Sequence, residues 1–199
     1  QIEALLNTFE DRSEGPLPPK SETRSTRSQG NTPAFDARSH LYRITGVDLT
    51  RIDGIEAHTG LKLVSEGGLD MHRWPTVKHF TSWLGLCPGS RITGGKVKSS
   101  RTKPSANRAA AALRLAANSL HRSDSALGAF SRRVKAKMGT PAAITATAHK
   151  LARLVYSVLE QGTDYVDVGR DYYERQYKRR VINNLARRAK QLGYHLLEL

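Results

Sequence analysis

A chain of 199 residues, 38% of them hydrophobic, can bury one or two modest cores. Its 32 Lys+Arg against 18 Asp+Glu leave a formal charge of +14, which points to a polyanionic partner. One cysteine, Cys87, excludes an internal disulfide and suits a reducing cytoplasm. No apolar run approaches the roughly 20 residues that span a bilayer, and no secretory signal is visible. The expected protein is therefore cytoplasmic, with no membrane partner. Scattered histidines without zinc-ligand spacing give no metal site.

The chain opens inside a helical pattern, with Ile2, Leu5, Leu6 and Phe9 on one stripe, so further sequence is expected before Gln1. That helix is assigned to 1–14 and is broken by Gly15 and three prolines. Residues 15–34, with Lys20, Arg24 and Arg27, read as a flexible basic linker, either plain disorder or a DNA contact. Order is expected again from Phe35. Over 46–66 the pattern is short helix, tight turn at Asp53-Gly54, short helix. This is helix-hairpin-helix-like, but Glu56 stands where a second glycine would admit a phosphate. A purely structural helical hairpin fits as well.

Thr76 is the expected N-cap of a helix carrying Val77, Phe80, Trp83 and Leu84 on one stripe. Trp74 and Trp83 could stack on bases, although an apolar stripe favours core. Residues 88–108 then form a loop rich in hydroxyls, glycines and cations, with no acid. Such a loop can grip and attack a phosphodiester. Glycines admit close backbone approach, Lys and Arg neutralise phosphate, and a Ser or Thr oxygen can be the nucleophile. Charge is concentrated around it: from Met71 to Leu159 there are 16 Lys+Arg and the single acid Asp124.

An Ala-rich helix begins at Asn107 and Arg108. The next is expected over about 123–138, with Leu127, Phe130, Val134 and Met138 inward and Gly139 as C-cap. Arg132, Arg133, Lys135 and Lys137 in its last turns suit either the helix dipole or DNA. Pro141 starts a helix whose stripe is Ile144, Ala148, Leu151, Val155 and Val158. Within 163–199, a long amphipathic helix over 171–192 places Tyr173, Tyr177, Val181, Leu185, Ala189 and Leu192 on one face. It could dimerise or lie against nucleic acid. No strand pattern competes over a useful length, so the fold class is all-α.

Several ordered motifs resemble the insertion-sequence one-ten transposases. They are Leu49-Thr-Arg-Ile-Asp-Gly-Ile55, Trp74-Pro-Thr-Val-Lys-His-Phe80, Trp83-Leu-Gly-Leu-Cys-Pro-Gly89, Thr93-Gly-Gly-Lys96, Asn107-Arg108 and Thr147-Ala-His-Lys-Leu-Ala-Arg-Leu154. The resemblance implies that 1–14 ends a coiled coil and that 35–162 is the C-terminal transposase domain. It also implies a covalent protein–DNA intermediate formed by a serine, working with an acidic N-terminal domain that binds Mg2+. No residue here matches that acidic tetrad, so no cofactor is expected in this chain. Implied partners are DNA, in some members an element-encoded guide RNA, and further copies of the protein in a homo-oligomer at the nucleoid.

The family's serine falls on Thr93, whose oxygen sits on a more crowded carbon. Ser90 is the alternative nucleophile. Gly94 and Gly95 would allow backbone approach, while Lys96, Lys98, Arg101 and Lys103 would hold the scissile phosphate. Asn107 and Arg108 would add contacts at a helix N-terminus. Competing readings are a DNA- or RNA-binding remnant without chemistry, and an oligomerisation domain built on the last helix.

Overall fold

A computed structural model describes residues 1–19, 33–163 and 165–197; Lys20, Arg24 and Arg27 lie outside them. The described helices are α1 (Ile2–Asn7), α2 (Ala37–Thr45), α3 (Ala57–Gly67), α4 (Val77–Trp83), α5 (Arg108–Ser119), α6 (Ala126–Met138), α7 (Thr140–Gln161) and α8 (Gly169–Gln191). Between α4 and α5 stands a two-stranded antiparallel ribbon, β1 (Arg91–Thr93) and β2 (Lys96–Ser99). The fold is thus mostly helical, as expected, while the ribbon corrects the expectation of no strand.

Helix α7 is the axis of the core. Ala148, Leu151, Ala152 and Val155 are buried along it, and α4, α5 and α6 all pack on it. Helix α5 meets it through Ala109, Ala110, Leu113, Ala116 and Ala117, whose small side chains let the two backbones approach closely. At the other end, Trp74, Phe80, Trp83 and Tyr156 form an aromatic cluster. Trp74 lies edge-on to Phe80 at 4.9 Å, and the Tyr156 hydroxyl donates to the Trp74 carbonyl at 2.8 Å. Both tryptophans therefore serve the core.

Caps follow the sequence. The Asn107 carboxamide accepts from the Ala110 N–H at 3.0 Å, Ser125 accepts from Gly128, and Gly139 ends α6 with φ +84°. Thr76 is the N-cap residue of α4, although its hydroxyl bonds the His79 ring, 2.9 Å away, instead of a helix amide. Helix α6 begins at Ala126, and Met138 points outward at 60% exposure, against the inward stripe expected.

The N-terminal segment is strapped to α2. Only Leu6 of the α1 stripe is buried, against Leu41 and Ile44. Helix α1 stops at Asn7, short of the predicted residue 14, and the Arg43 guanidinium donates to the Phe9 and Leu6 carbonyls. Arg38 donates at 2.5 Å both to the Pro18 carbonyl and to the buried carboxylate of Asp48.

The first limb of the helix-hairpin-helix-like segment is a single 3-10 turn, Leu49–Arg51. Its turn residue Gly54 has φ +85°, and a Cβ there would lie 3.2 Å from the Ala116 carbonyl oxygen. The turn is thus packed on α5, with Ile52 and Ile55 fully buried beside it.

Gly128, one turn into α6, faces the Ser123 and Leu120 carbonyl oxygens, which an added Cβ would meet at 2.2 and 2.8 Å. Backbone atoms cannot swing aside as a side chain can. Gly128→Ala is expected to destabilise by about 1–3 kcal/mol in urea unfolding. Leu115→Ala, at a side chain 72% exposed, should change stability by less than about 0.5 kcal/mol.

Candidate nucleic-acid interface

The predicted nucleophile loop is an ordered device. Leu84 and Leu86, both buried, fix the end of α4, and Ala109 and Ala110 fix the start of α5. Between these anchors the two arms pair: Pro88 bridges Thr102, and the Gly89 N–H donates to the Arg101 carbonyl at 2.9 Å. Gly85 has φ +68°, and a Cβ on it would come within 2.5 Å of the Ser105 Cβ, so the two arms touch at the root.

Further out, Thr93 pairs with Lys96 and Ile92 with Val97, and a bulge separates them from the Arg91–Ser99 pair. Gly94 and Gly95 form the two-residue turn, both with positive φ, at 55° and 72°. That is the requirement of the primed hairpin turn whose twist matches the strands. These glycines are needed for the turn itself, beyond any role in backbone approach.

Alternation along the strands separates two faces. Thr93 and Lys96 share one, with cross-strand Cβ atoms about 5 Å apart in such a pair. Ile92 and Val97 share the other, each 63% exposed. Lys98 is the extra residue at the bulge. All of residues 91–98 are exposed, and so are Ser90, Arg101 and Lys103. Hence the structure brings Thr93 and Lys96 together at a protruding tip, and keeps Ser90 nearer the root. Among the described residues, no carboxylate pairs with Lys96, Lys98, Arg101 or Lys103.

Asn107 and Arg108 stand at the start of α5, as expected. The Asn107 side chain is engaged as the helix cap. Arg108 Nε lies 2.7 Å from Glu66 Oε1 of α3, a solvent-facing pair of small energetic weight that a phosphate could replace.

One residue of α7 that the sequence left unassigned lies beside this loop. His149 of α7 lies under the ribbon root, its Nε2 4.0 Å from the Cys87 Sγ, while the Thr81 hydroxyl sits 3.1 Å from the same sulfur. Lys150 and Arg153 follow on the same helix. The signal was the motif Thr147-Ala-His-Lys-Leu-Ala-Arg-Leu154, in which helical spacing of four places His149 and Arg153 on one side.

The α6 cluster is corrected in part. Arg132 donates to the Ser123 carbonyl at 2.6 Å and the His121 carbonyl at 3.1 Å, closing the turn before α6. Arg133 lies over the Tyr177 ring at 3.3 Å and pairs with Glu174 of α8. Both are structural staples; Lys135 and Lys137 remain exposed.

Only the first half of α8 is docked. Tyr173 meets Phe130 edge-on at 6.4 Å, and Arg170 pairs with Asp124 at 2.9 Å, whereas Leu185 and Leu192 are 50% and 71% exposed. Its predicted apolar face is therefore used at one end only. No group of three or more His, Cys, Asp or Glu among the described residues is placed to hold a metal. No helix is long and apolar enough to cross a membrane.

The helical body thus bears an exposed, acid-free basic ribbon with a hydroxyl beside a lysine at its tip. Residues 48–132 match the family model described as transposase, IS116/IS110/IS902 family. The match runs from Asp48 to Arg132 and contains the whole ribbon. Among curated proteins no match is found.

His149 is held below the usual imidazole range, first by burial and then by the Arg153 guanidinium. The unfolded chain therefore binds that proton more readily than the native one. Stability associated with neutral His149 is present above the ordinary value of 6.5 and is lost as pH falls through the depressed native value. In thermal melts between about pH 7.5 and about pH 5, His149→Gln should show a shallower acid-side fall in Tm than wild type.

Proposed function

We propose that this domain carries out phosphodiester transesterification in DNA transposition, with Thr93 as nucleophile. The observation that carries the reading is the ribbon tip: a hydroxyl directly across from Lys96, on the segment that matches a transposase family. In the step, the Thr93 oxygen forms a bond to the DNA phosphorus and its proton passes to a base. The bond from phosphorus to a deoxyribose oxygen breaks, and that oxygen is protonated as it leaves. Attack by another deoxyribose hydroxyl then reverses the linkage and frees Thr93. Lys96, Lys98, Arg101 and Lys103 hold the phosphate and offset the charge that grows on its oxygens.

An exposed tip has no general base of its own among the described residues. The reading therefore includes the acidic domain that the resemblance implies, closing on the ribbon when DNA is bound. DNA is the partner that the family indicates; a guide RNA and a homo-oligomer are further parts of the proposal. The second reading, nucleic-acid binding without chemistry, is favoured by one observation: Thr stands at the family's serine position.

The test is trapping on a nicked suicide substrate, with the acidic domain supplied from a family member. A covalent adduct is expected with wild type and with Ser90→Ala, and its loss with Thr93→Ala. Recovery or increase of adduct with Thr93→Ser would support the position. Undiminished adduct with Thr93→Ala would remove Thr93 as the nucleophile, and no adduct with either hydroxyl would favour binding alone. Independently, wild type should bind duplex DNA with a steep salt dependence, and Lys96→Gln should flatten the log–log slope by about 0.9.

A further inference from the structure

We propose that α7 and α8 form a second phosphate-binding strip, built from His149, Lys150, Arg153 and Arg180, which grips duplex DNA alongside the ribbon. The strip lies outside residues 48–132, the segment that the family model matches, since all four residues follow Arg132. It rests on the reading of the ribbon as a DNA-facing element and extends it to a surface that would hold the flanking duplex.

Three observations converge on this surface. The first is continuity, because His149 sits beneath the ribbon root, 4.0 Å from Cys87, so the strip begins where the ribbon ends. The second is placement. Arg153 is one helical turn from both His149 and Lys150 on α7. Arg180 is two turns beyond Tyr173 on α8, on the side of that helix that faces α6 and α7. Arg153 and Arg180 are exposed, His149 and Lys150 half-buried.

The third observation is uncompensated charge. Burial, Arg180 and Arg153, in that order, lower the pKa of Lys150, and burial and Arg153 lower that of His149. The charges of Lys150, Arg153 and Arg180 thus disfavour one another in the free protein, and His149 is held toward its neutral form. Glu174, the acid on the docked face of α8, is already held by Arg133. Among the described residues, no carboxylate pairs with Lys150, Arg153 or Arg180. A like-charged cluster of this kind costs stability unless an anion joins it, which is the signature of a binding surface more than of a scaffold.

Duplex DNA is favoured over unpaired strands by the rings. Single-strand recognition stacks bases on open aromatic faces. Here the Lys150 ammonium covers the Phe130 ring at 3.9 Å and lies 5.8 Å from the Tyr173 ring, which itself meets Phe130 edge-on, so these two rings offer no open stacking platform. What remains is three cations and a hydrogen-bonding imidazole on rigid helices, suited to a regular phosphate backbone.

The experiment measures binding of a fluorescein-labelled, random-sequence DNA duplex to the full chain across a salt series, together with thermal melts. Arg153→Gln and Arg180→Gln should each flatten the log–log salt slope by about 0.9 and weaken binding several-fold at low salt. Both variants should melt at or above the wild-type temperature, because each relieves like-charge crowding. Lys62→Gln, at an exposed position of α3 outside the ribbon and the strip, serves as the control and should leave the slope unchanged.

Wild-type slope and affinity in the Arg153→Gln, Arg180→Gln double variant would overturn the strip. So would a lowered melting temperature with binding intact, which would assign the two arginines a structural role. A labelled RNA hairpin that binds tighter than DNA, with the variants weakening only the RNA, would assign the surface to RNA and overturn the proposal as stated. If Lys96→Gln flattens the slope while the strip variants do not, the strip alone fails. If wild type binds no duplex at any salt, the DNA reading of the ribbon fails with it.

Discussion

The close approach of α5 to α7 governs where everything else can go. Alanines line both sides of this contact, Ala109, Ala110, Ala116 and Ala117 on one helix and Ala148 and Ala152 on the other. Small side chains bring the two axes near and set the start of α5 hard against the core. Leu84 and Leu86 do the same for the end of α4. The chain between them therefore leaves and re-enters the body at one place, pinned by the contact of Gly85 with Ser105. A segment held at both ends within so short a span can pair with itself, and the Gly94-Gly95 turn lets it do so. The protruding ribbon is thus a consequence of core packing as much as of its own residues.

Charge explains why that protrusion is useful. Between Met71 and Leu159 one acid faces 16 cations, and that acid, Asp124, is paired with Arg170. Some of the cations are consumed by the fold. Arg132 closes a turn and Arg133 staples α6 to α8. Of those left over, Arg91, Lys96, Lys98, Arg101 and Lys103 gather on the ribbon and its arms, and Lys135 and Lys137 are exposed on α6. Electrostatic repulsion among them is tolerable in a small domain only because the hydrophobic core behind them is continuous, from Val47 through the aromatic cluster to Val158. Stability of the body and affinity for a polyanion are in this sense opposed, and the structure separates them by placing neutral packing inside and unpaired charge outside.

Much of the fold was legible in the chain, because helix stripes and caps are local. The α7 stripe, the Asn107 and Thr76 boundaries and the Gly139 stop all stand where residue pattern puts them. The ribbon was not read as strand, although Ile92 and Val97 around a Gly-Gly pair are a hairpin signature. Three- and four-residue strands are too short for alternation to outweigh the hydroxyl, glycine and lysine content around them. Met138 and the far end of α8 show the other limit. Periodicity tells which side of a helix is apolar, and only tertiary contacts tell whether anything lies there to cover it. The roles of Arg132 and Arg133 were equally out of reach, since their partners are a turn carbonyl and a ring 44 residues away in sequence.

The placement of Thr93 bears on what kind of catalyst this can be. A nucleophile in a closed pocket is activated by neighbours that are always present. Thr93 instead sits on a ribbon tip whose nearest cross-strand neighbour is a cation, which can hold a phosphate but, while charged, cannot take a proton. On the proposed reading, binding and activation are thereby divided: the ribbon would supply phosphate contacts and the attacking oxygen, and the base would come from whatever closes over it. Such a division would keep an exposed hydroxyl inert toward DNA it meets by chance, because charge alone would bring the strand close without making the oxygen reactive. The extra methyl of Thr93 would strengthen such a gate, since it narrows the approach from which the oxygen can reach phosphorus.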